Sequence, residues 1–308
     1  MKQVTMQDAF EVAIATEKAA QTLFQGLEAK FANHEDLAVL WQHFAEDESH
    51  HATWLSPPMV PAKPVVGRLV FGIPAYNEEA RIGDVLRDVT SRPGNPSVIV
   101  VDDGSSDRTA EVVSRWPGVE LVRHAENRGL AAAQITLFKE FASRDGSPDD
   151  VLILIHADGA MDLSEVDRLL ERFQERDADV VLGSRLLWWR TNLRARGLFR
   201  TSADMVATCL ENVAFRTWLT SYGSAFRAWR RRGVERLDLD NMLSRGAGFD
   251  VEIVVRALLA RLVIAEVPVR ALPRLRPSSY LLTSYAREVV PMMLRMGFLR
   301  WTTFGRSR

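Results

Sequence analysis

Two adjacent carboxylates, Asp102 and Asp103, end the apolar β-branched run Val98-Ile99-Val100-Val101 and are followed by Gly104, Ser105, Ser106 and Asp107. A continuous Val/Ile run suits a strand buried on both faces of a parallel sheet. Ligands of such sheets bind beyond the carboxyl ends of the strands, so acids placed there are aimed at something polar. Asp, Gly and Ser also favour turns and helix caps, and this run alone is equally compatible with that reading. Four more strand candidates end the same way. The first gives way to Pro74-Ala75-Tyr76-Asn77-Glu78-Glu79, where Tyr76 offers a stacking face and Glu78 an acceptor. The third leads to Asn127-Arg128-Gly129, a turn able to bring backbone amides near a phosphate. The fourth ends in His156-Ala157-Asp158-Gly159 and the fifth in Gly183-Ser184-Arg185. Turn chemistry explains any one of these clusters, but it explains five together poorly.

The elements that must carry them read as alternating strands and helices. Strands are expected at Arg68–Ile73, Ser97–Val101, Glu120–Arg123, Val151–Ile155 and Asp179–Gly183. Helical patterns lie between them at Ala80–Ser91, Arg108–Arg115, Leu130–Ser143 and Leu163–Arg176. This alternation predicts an α/β fold with a mostly parallel sheet, right-handed crossovers and helices on its faces. All five polar clusters would then converge on one sheet edge. From Trp188 onward the pattern reads as amphipathic, arginine-studded helices. Before the α/β region, residues 1–56 read as an all-α helical hairpin, and the proline-rich stretch 57–65 as a semi-rigid linker.

Composition narrows the class. The 308 residues are 47% hydrophobic and 26% charged, ordinary values for a globular protein. The net charge of −1 hides an asymmetry: residues 185–308 carry 22 Arg, no Lys and nine acids, hence +13, and residues 1–184 carry −14. An arginine-rich half suggests an anionic partner, and arginine suits bidentate phosphate contacts. The single cysteine, Cys209, excludes an intramolecular disulfide and a cysteine-based zinc cluster. No signal-peptide pattern and no apolar run long enough to span a bilayer is present. A cytoplasmic protein is expected, peripheral on the inner face of the membrane if it meets one.

The ordered motifs PAYNEE (74–79), VDDGSSDRT (101–109), NRG (127–129), HADG (156–159) and GSR (183–185) resemble the inverting glycosyltransferases of family 2, with the GT-A fold. SYGSAFRAW (221–229), GAGFDVEIVVRA (246–257) and EVPV (266–269) extend the resemblance to roughly 66–280. The branch it most resembles is that of the polyprenyl-phosphate sugar synthases, of the dolichol-phosphate mannosyltransferase kind. The resemblance implies a UDP- or GDP-sugar donor and a polyprenyl-phosphate or other lipid-phosphate acceptor, with a glycan or small-molecule hydroxyl as the alternative acceptor. Nucleic acid is not an expected partner. Pro74, Tyr76 and Glu78 would line the nucleoside pocket, and Asp102 and Asp103 would contact base and ribose, with Asp103 on the base. Asp158 matches the last acid of the family's DxD motif, which holds Mg²⁺ or Mn²⁺ against the donor diphosphate.

His156 stands where that motif has its first acid. Imidazole is a poorer ligand for Mg²⁺ and acceptable to Mn²⁺, so altered metal use is expected, with an inactive enzyme as the other reading. A hydroxyl acceptor would need a general base, for which Asp250 and Glu252 are candidates, although the same residues also read as a helix start. A phosphate acceptor is already anionic and needs only cations to position it; Arg185 and Arg227 suit that role, against the reading that they are solvated surface charge.

Two peripheral segments carry further expectations. Residues 281–308 form an apolar tail with Arg287, Arg295 and Arg300, which suits either a helix lying at a membrane interface or one packed on the enzyme. Leu186-Leu187-Trp188-Trp189-Arg190 would add an aromatic anchor. In the N-terminal hairpin, Glu17, Glu48 and His51 lie on apolar faces in the Glu and Glu-x-x-His pattern of ferritin-like, rubrerythrin-like half-bundles. Two copies would complete an iron site, making the chain a homodimer through that hairpin. The bland alternative is a hairpin that dimerises or docks without metal. A ferritin-like metal or oxidation sensor on a non-catalytic transferase scaffold is the functional alternative of another class.

Overall fold

A computed structural model describes residues 19–23, 25–30, 32, 66–159, 161–224, 226–244, 246, 248–270 and 287–296. The chain divides into two compact units, Met1–Ala62 and Lys63–Arg308. In the first, residues 19–23 and 25–30 are helical. Glu17, Glu48 and His51 lie outside the described residues, and among the described residues no group of three His, Cys, Asp or Glu could hold a metal ion.

The second unit is built on seven strands: β1 (Leu69–Ala75), β2 (Ser97–Asp102), β3 (Val119–Arg123), β4 (Val151–Leu154), β5 (Val180–Ser184), β6 (Arg227–Arg230) and β7 (Ile264–Pro268). Their order in the sheet is β3-β2-β1-β4-β6-β5-β7, and all pairings are parallel except the two made by β6. Helices α1 (Ile82–Thr90), α2 (Thr109–Ser114), α3 (Leu130–Ser143) and α4 (Val166–Arg176) connect the first five strands. Then come α5 (Trp189–Arg196), α6 (Leu198–Phe215), the short α7 (Arg231–Val234) and α8 (Phe249–Leu259). The α/β fold expected from the alternation is present.

The sequence reading of an all-helical stretch beyond Trp188 is corrected by β6 and β7. Strand β6 is flanked by arginines that disguise its apolar period, yet Arg227 and Arg230 are both fully buried, because carboxylates reach them inside the fold. Burial of a charge is affordable only with such partners.

Alternating side chains of each strand feed two cores, one on each face. Val98 and Val100 join Phe71, Ile73 and Ile153 on one side, while Ile99 and Val101 join Leu152, Phe138 and Trp229 on the other. Phe138 of α3 meets Trp229 of β6 edge-to-face at 5.3 Å between ring centroids, the preferred geometry for aromatic pairs. A helix over 287–296 adds Val289, Met292 and Met296 to this second core. The Glu288 Oε2 atom accepts from the Gly248 amide at 2.8 Å, fastening the same helix just before α8. Of the two readings of the C-terminal segment, residues 287–296 therefore take the packed one. The rest of that tail lies outside the described residues except for this helix.

Candidate active site

Strand order reverses between β1 and β4: the chain moves outward from β1 to β2 and β3, then returns through α3 to lay β4 on the other side of β1. A crevice opens beyond the carboxyl ends of strands at such a switch point. The loops after β1 (76–79), β2 (103–108) and β4 (156–159) all leave the sheet at that edge.

The first two loops are sewn together by side chains. Asn77 adopts a left-handed backbone (φ 53°), and its Oδ1 accepts from the Ser106 amide at 2.9 Å. Its own amide donates to Ser105 Oγ at 2.9 Å. The Glu78 amide donates to Thr109 Oγ1 at 2.8 Å and the Glu79 amide to Asp107 Oδ2 at 3.1 Å. Burial opposes charge on Asp107, but hydrogen bonds from Thr109 and from the Glu79 amide outweigh it and hold the carboxyl below its ordinary value. Among the residues expected to line the nucleoside pocket, Pro74 is buried within β1, Tyr76 is 45% exposed, and Glu78 pairs with Arg81 at 3.1 Å.

The opening carboxylates take different surroundings. Asp102 is fully buried; its Oδ1 accepts from the Ser105 amide at 3.2 Å, and Arg123 Nε lies 3.0 Å from its Oδ2 as an ion pair. That pair does not meet hydrogen-bond geometry, so Oδ2 keeps unused acceptor capacity. Asp103 is also buried but committed: Oδ1 accepts from the Arg128 amide at 3.0 Å and Oδ2 from the Gly129 amide at 2.7 Å. His124 Nδ1 lies 2.6 Å from the same Oδ1, and its Nε2 lies 2.9 Å from Thr136 Oγ1. Asp103 thus pins the Asn127-Arg128-Gly129 turn and the start of α3, a task at odds with reading a nucleobase. Gly104 lets this happen. Its φ is +69°, and a Cβ there would strike the Glu126 carbonyl carbon and come within 2.7 Å of Asn127 N. Between these loops an open cleft of about 380 Å³ is lined by Gly104, Ser105, Arg123, His124 and Ala125. Arg123 and His124 escaped the sequence reading, although they sit at the end of β3, where the other strands already displayed polar clusters.

After β4, His156 and Asp158 are half-buried on either side of the buried Ala157, and Gly159 closes the turn at φ 70°. Arg185 follows β5, is half-buried, and its carbonyl accepts from Asn192 Nδ2 at 2.9 Å. Ser184 Oγ accepts from Thr220 Oγ1 at 2.7 Å, and Glu266 of β7 accepts from the Thr220 amide and hydroxyl at 2.9 Å. Burial raises the Glu266 carboxyl above its ordinary value, although the Thr220 and Ser221 hydrogen bonds pull the other way.

Arg227 departs from expectation. Its side chain is completely buried, with Nη1 donating to the Asp250 carbonyl at 3.1 Å and Nη2 paired with Asp250 Oδ1. A guanidinium so enclosed positions the N-terminus of α8 and does not present itself to an incoming phosphate. Glu252 is likewise fully buried, accepting from the Leu243 and Ser244 amides at 2.8 and 2.7 Å and from Arg256 Nε at 2.9 Å. It holds the 243–244 loop, as a helix-start residue would.

The comparisons with known proteins agree with this architecture. The family described as Glycosyl transferase family 2 matches residues 71–234, from β1 to α7. The undecaprenyl-phosphate mannosyltransferase of Micrococcus luteus is 28% identical over 245 residues, covering 76% of this chain and 96% of that protein. The polyprenol monophosphomannose synthase of Mycolicibacterium smegmatis is 26% identical over 210 residues, covering 64% of this chain and 74% of that protein. In fold, the chain is similar to glucosyl-3-phosphoglycerate synthase from Mycobacterium tuberculosis, solved with Mn²⁺, UDP and glucosyl-3-phosphoglycerate. The TM-score is 0.54 at 21% identity, over 75% of this chain and 80% of that one. With more than half of its length matched, strand-end motifs included, the chain belongs to glycosyl transferase family 2 and is a glycosyltransferase.

Proposed function

We propose that this glycosyltransferase moves a sugar, with inversion, from a nucleoside-diphosphate donor to a polyprenyl phosphate. One observation carries the choice of acceptor: the two carboxylates that the sequence offers as general bases are engaged elsewhere, Asp250 by Arg227 and Glu252 by two amides and Arg256. A hydroxyl acceptor needs a base to take its proton, whereas a phosphate attacks as an anion. The relatives from Micrococcus luteus and Mycolicibacterium smegmatis, whose names specify lipid-phosphate mannosyl transfer, support the same acceptor class.

In this reading Tyr76 and Glu78 flank the nucleoside, and Arg123, held from beneath by the buried Asp102, meets the donor at the cleft wall. Asp103 and His124 shape that edge from behind by holding the 127–129 turn. Asp158 and His156, one carboxylate and one imidazole after β4, would hold a divalent cation that arrives with the donor. The imidazole favours Mn²⁺ over Mg²⁺. What such an ion supplies when bound is neutralisation of the departing nucleoside diphosphate. Arg185 positions the acceptor phosphate, one of whose oxygens forms the new bond to the anomeric carbon as the diphosphate oxygen leaves from the opposite face. The test is to incubate the protein with UDP- or GDP-sugars, Mn²⁺ and polyprenyl phosphate, and read the anomeric configuration of the product by NMR. An inverted lipid-phosphate sugar is expected; a retained configuration, or no lipid-linked product from any donor, contradicts the proposal.

A further inference from the structure

Three segments meet behind Arg185. Ser184 ends β5 and is completely buried, Thr220 lies in the loop before β6, and Glu266 sits in the middle of β7. Thr220 Oγ1 lies 2.7 Å from Ser184 Oγ and 2.9 Å from Glu266 Oε1, and the Thr220 amide donates to both carboxylate oxygens at 2.9 Å. Ser184 Oγ in turn accepts from the Leu187 amide at 3.3 Å, closing the turn that contains Arg185. Strand β5 is paired on both sides, by β6 and β7, so Ser184 is a fixed post and the turn beyond it is what this bond holds.

A threonine hydroxyl carries a single proton, so Thr220 donates to one of its two neighbours and accepts from the other. An ionised Glu266 only accepts. Thr220 then donates to Glu266 and Ser184 donates to Thr220, which polarises the Ser184 oxygen and strengthens its bond from the Leu187 amide. With a proton on Glu266 Oε1 the order reverses: Glu266 donates to Thr220 and Thr220 to Ser184. Ser184 Oγ then accepts twice and its own proton is turned off the chain in a buried place, which weakens the hold on Leu187. The charged groups around Glu266 are engaged with one another. On the sheet face it shares with Leu182 and Arg227, Arg227 is paired with Asp250. Toward α4, Arg172 Nε donates to the Glu266 carbonyl at 3.3 Å and Nη1 pairs with Glu175 at 2.8 Å. Residues 217–226 bring no charged side chain.

We propose that Thr220, seated on Glu266 and bonded to Ser184, is a positioning residue for the acceptor phosphate: it holds the 184–187 turn in the shape from which Arg185 meets that phosphate. This role deepens the lipid-phosphate reading and rests on it for the part played by Arg185. Asn192 Nδ2, donating to the Arg185 and Val269 carbonyls at 2.9 Å, fixes the backbone of the same turn to the end of β7. The hydroxyl chain supplies the remaining tie, and it alone responds to a proton.

The test uses the full chain with Thr220→Val, which keeps the branched shape and deletes the hydroxyl. KM for polyprenyl phosphate should rise about tenfold, with donor KM and kcat changed less than about twofold. Thr220→Ser, which restores the hydroxyl, should return acceptor KM to within about twofold of wild type. A second readout needs no acceptor: amide hydrogen exchange across 184–190 should quicken in Thr220→Val and not in Thr220→Ser. Ser184→Ala removes the acceptor of the Leu187 amide from the other end, so it should behave as Thr220→Val does and carries the test where that variant does not fold. Glu266→Gln removes the titration. The ratio of wild-type to Glu266→Gln acceptor KM should therefore fall as pH rises through the raised Glu266 value, while the titration of the acceptor phosphate cancels in the ratio.

Unchanged exchange in Thr220→Val overturns the proposal. So does quickened exchange with acceptor KM at the wild-type value in Thr220→Val but raised in Arg185→Ala. A ratio that does not move with pH overturns the part given to Glu266. Quickened exchange with acceptor KM unmoved in both Thr220→Val and Arg185→Ala supports the hold on the turn and overturns the acceptor role of Arg185 instead.

Discussion

The two ends of one sheet solve opposite problems. At the carboxyl edge, side chains of Asn77, Asp103, Asp107 and Thr109 hold backbone amides of neighbouring loops, leaving a cleft with Ser105, Arg123 and His124 at its wall. At the amino edge, charge meets charge directly. Arg230 pairs with Asp149 at 2.7 Å and with Asp177 at 3.0 Å, while Arg232 pairs with Asp179 at 2.7 Å and with Asp177 at 2.9 Å. Arg231 donates to the Phe141 and Arg144 carbonyls at 2.6 and 2.8 Å, with Asp150 at 3.6 Å. Burial, with Arg232 nearby, pulls Arg230 below its ordinary value, against the three aspartates. Strand β6 links the ends: Arg227 opposes Leu154 and Leu182 near the site, and Arg230 opposes Val151 at the far edge. The lesson is that the loops able to admit a ligand are held by side chains accepting from backbone amides, whereas the closed edge is held by ion pairs and by arginines donating to carbonyls.

Substitutions should separate the two edges. Asp158→Asn is expected to lower kcat by about a hundredfold or more while leaving the melting temperature within a degree or two, because it removes charge stabilisation needed only during transfer. Steady-state kinetics beside a thermal melt decide it; unchanged turnover would break the division at its strongest point. Arg231→Ala should do the reverse. Stripping a buried guanidinium from its carbonyls and from Asp150 costs about 3 kcal/mol, read by denaturant unfolding, with kcat/KM near wild type for the surviving folded enzyme.

Asp103→Asn sharpens the comparison because it lies at the site edge yet is argued to act through the turn it pins. It should raise donor KM about tenfold, with kcat much less affected and stability lowered by about 1 kcal/mol. A loss confined to kcat would instead make Asp103 a direct participant. The smallest effect is expected at Glu266. Its carboxyl is raised in the folded protein, so the folded state holds the proton more tightly than the unfolded chain does. The resulting stability is present below the ordinary glutamate value and is lost as pH rises through the raised one. Melting temperature measured from mildly acidic to neutral pH should decline from this contribution, and Glu266→Gln should flatten that part of the curve.

Much of the carboxyl edge was legible because period and punctuation agree there. Val98 to Val101 alternate between two cores, and the polar cluster begins where the strand stops. The amino edge was not legible. Nothing in the run Arg230-Arg231-Arg232 reveals that the first two arginines are buried and the third half-buried, since that depends on Asp149, Asp150, Asp177 and Asp179 arriving from distant loops. The same blindness hid β6 and misread Arg227 as a phosphate ligand. Asp102 and Asp103 were found as a pair, but their unequal surroundings depend on His124 and on the amides of 128–129, which only the folded chain brings near.

The most direct test of the proposed acceptor chemistry compares a polyprenyl phosphate with the polyprenol of the same chain length, under one donor and saturating Mn²⁺. The account predicts transfer to the phosphate and at most background transfer to the alcohol. Comparable rates with both would mean that a general base is at work, and would contradict the reading built on Asp250 and Glu252 being engaged.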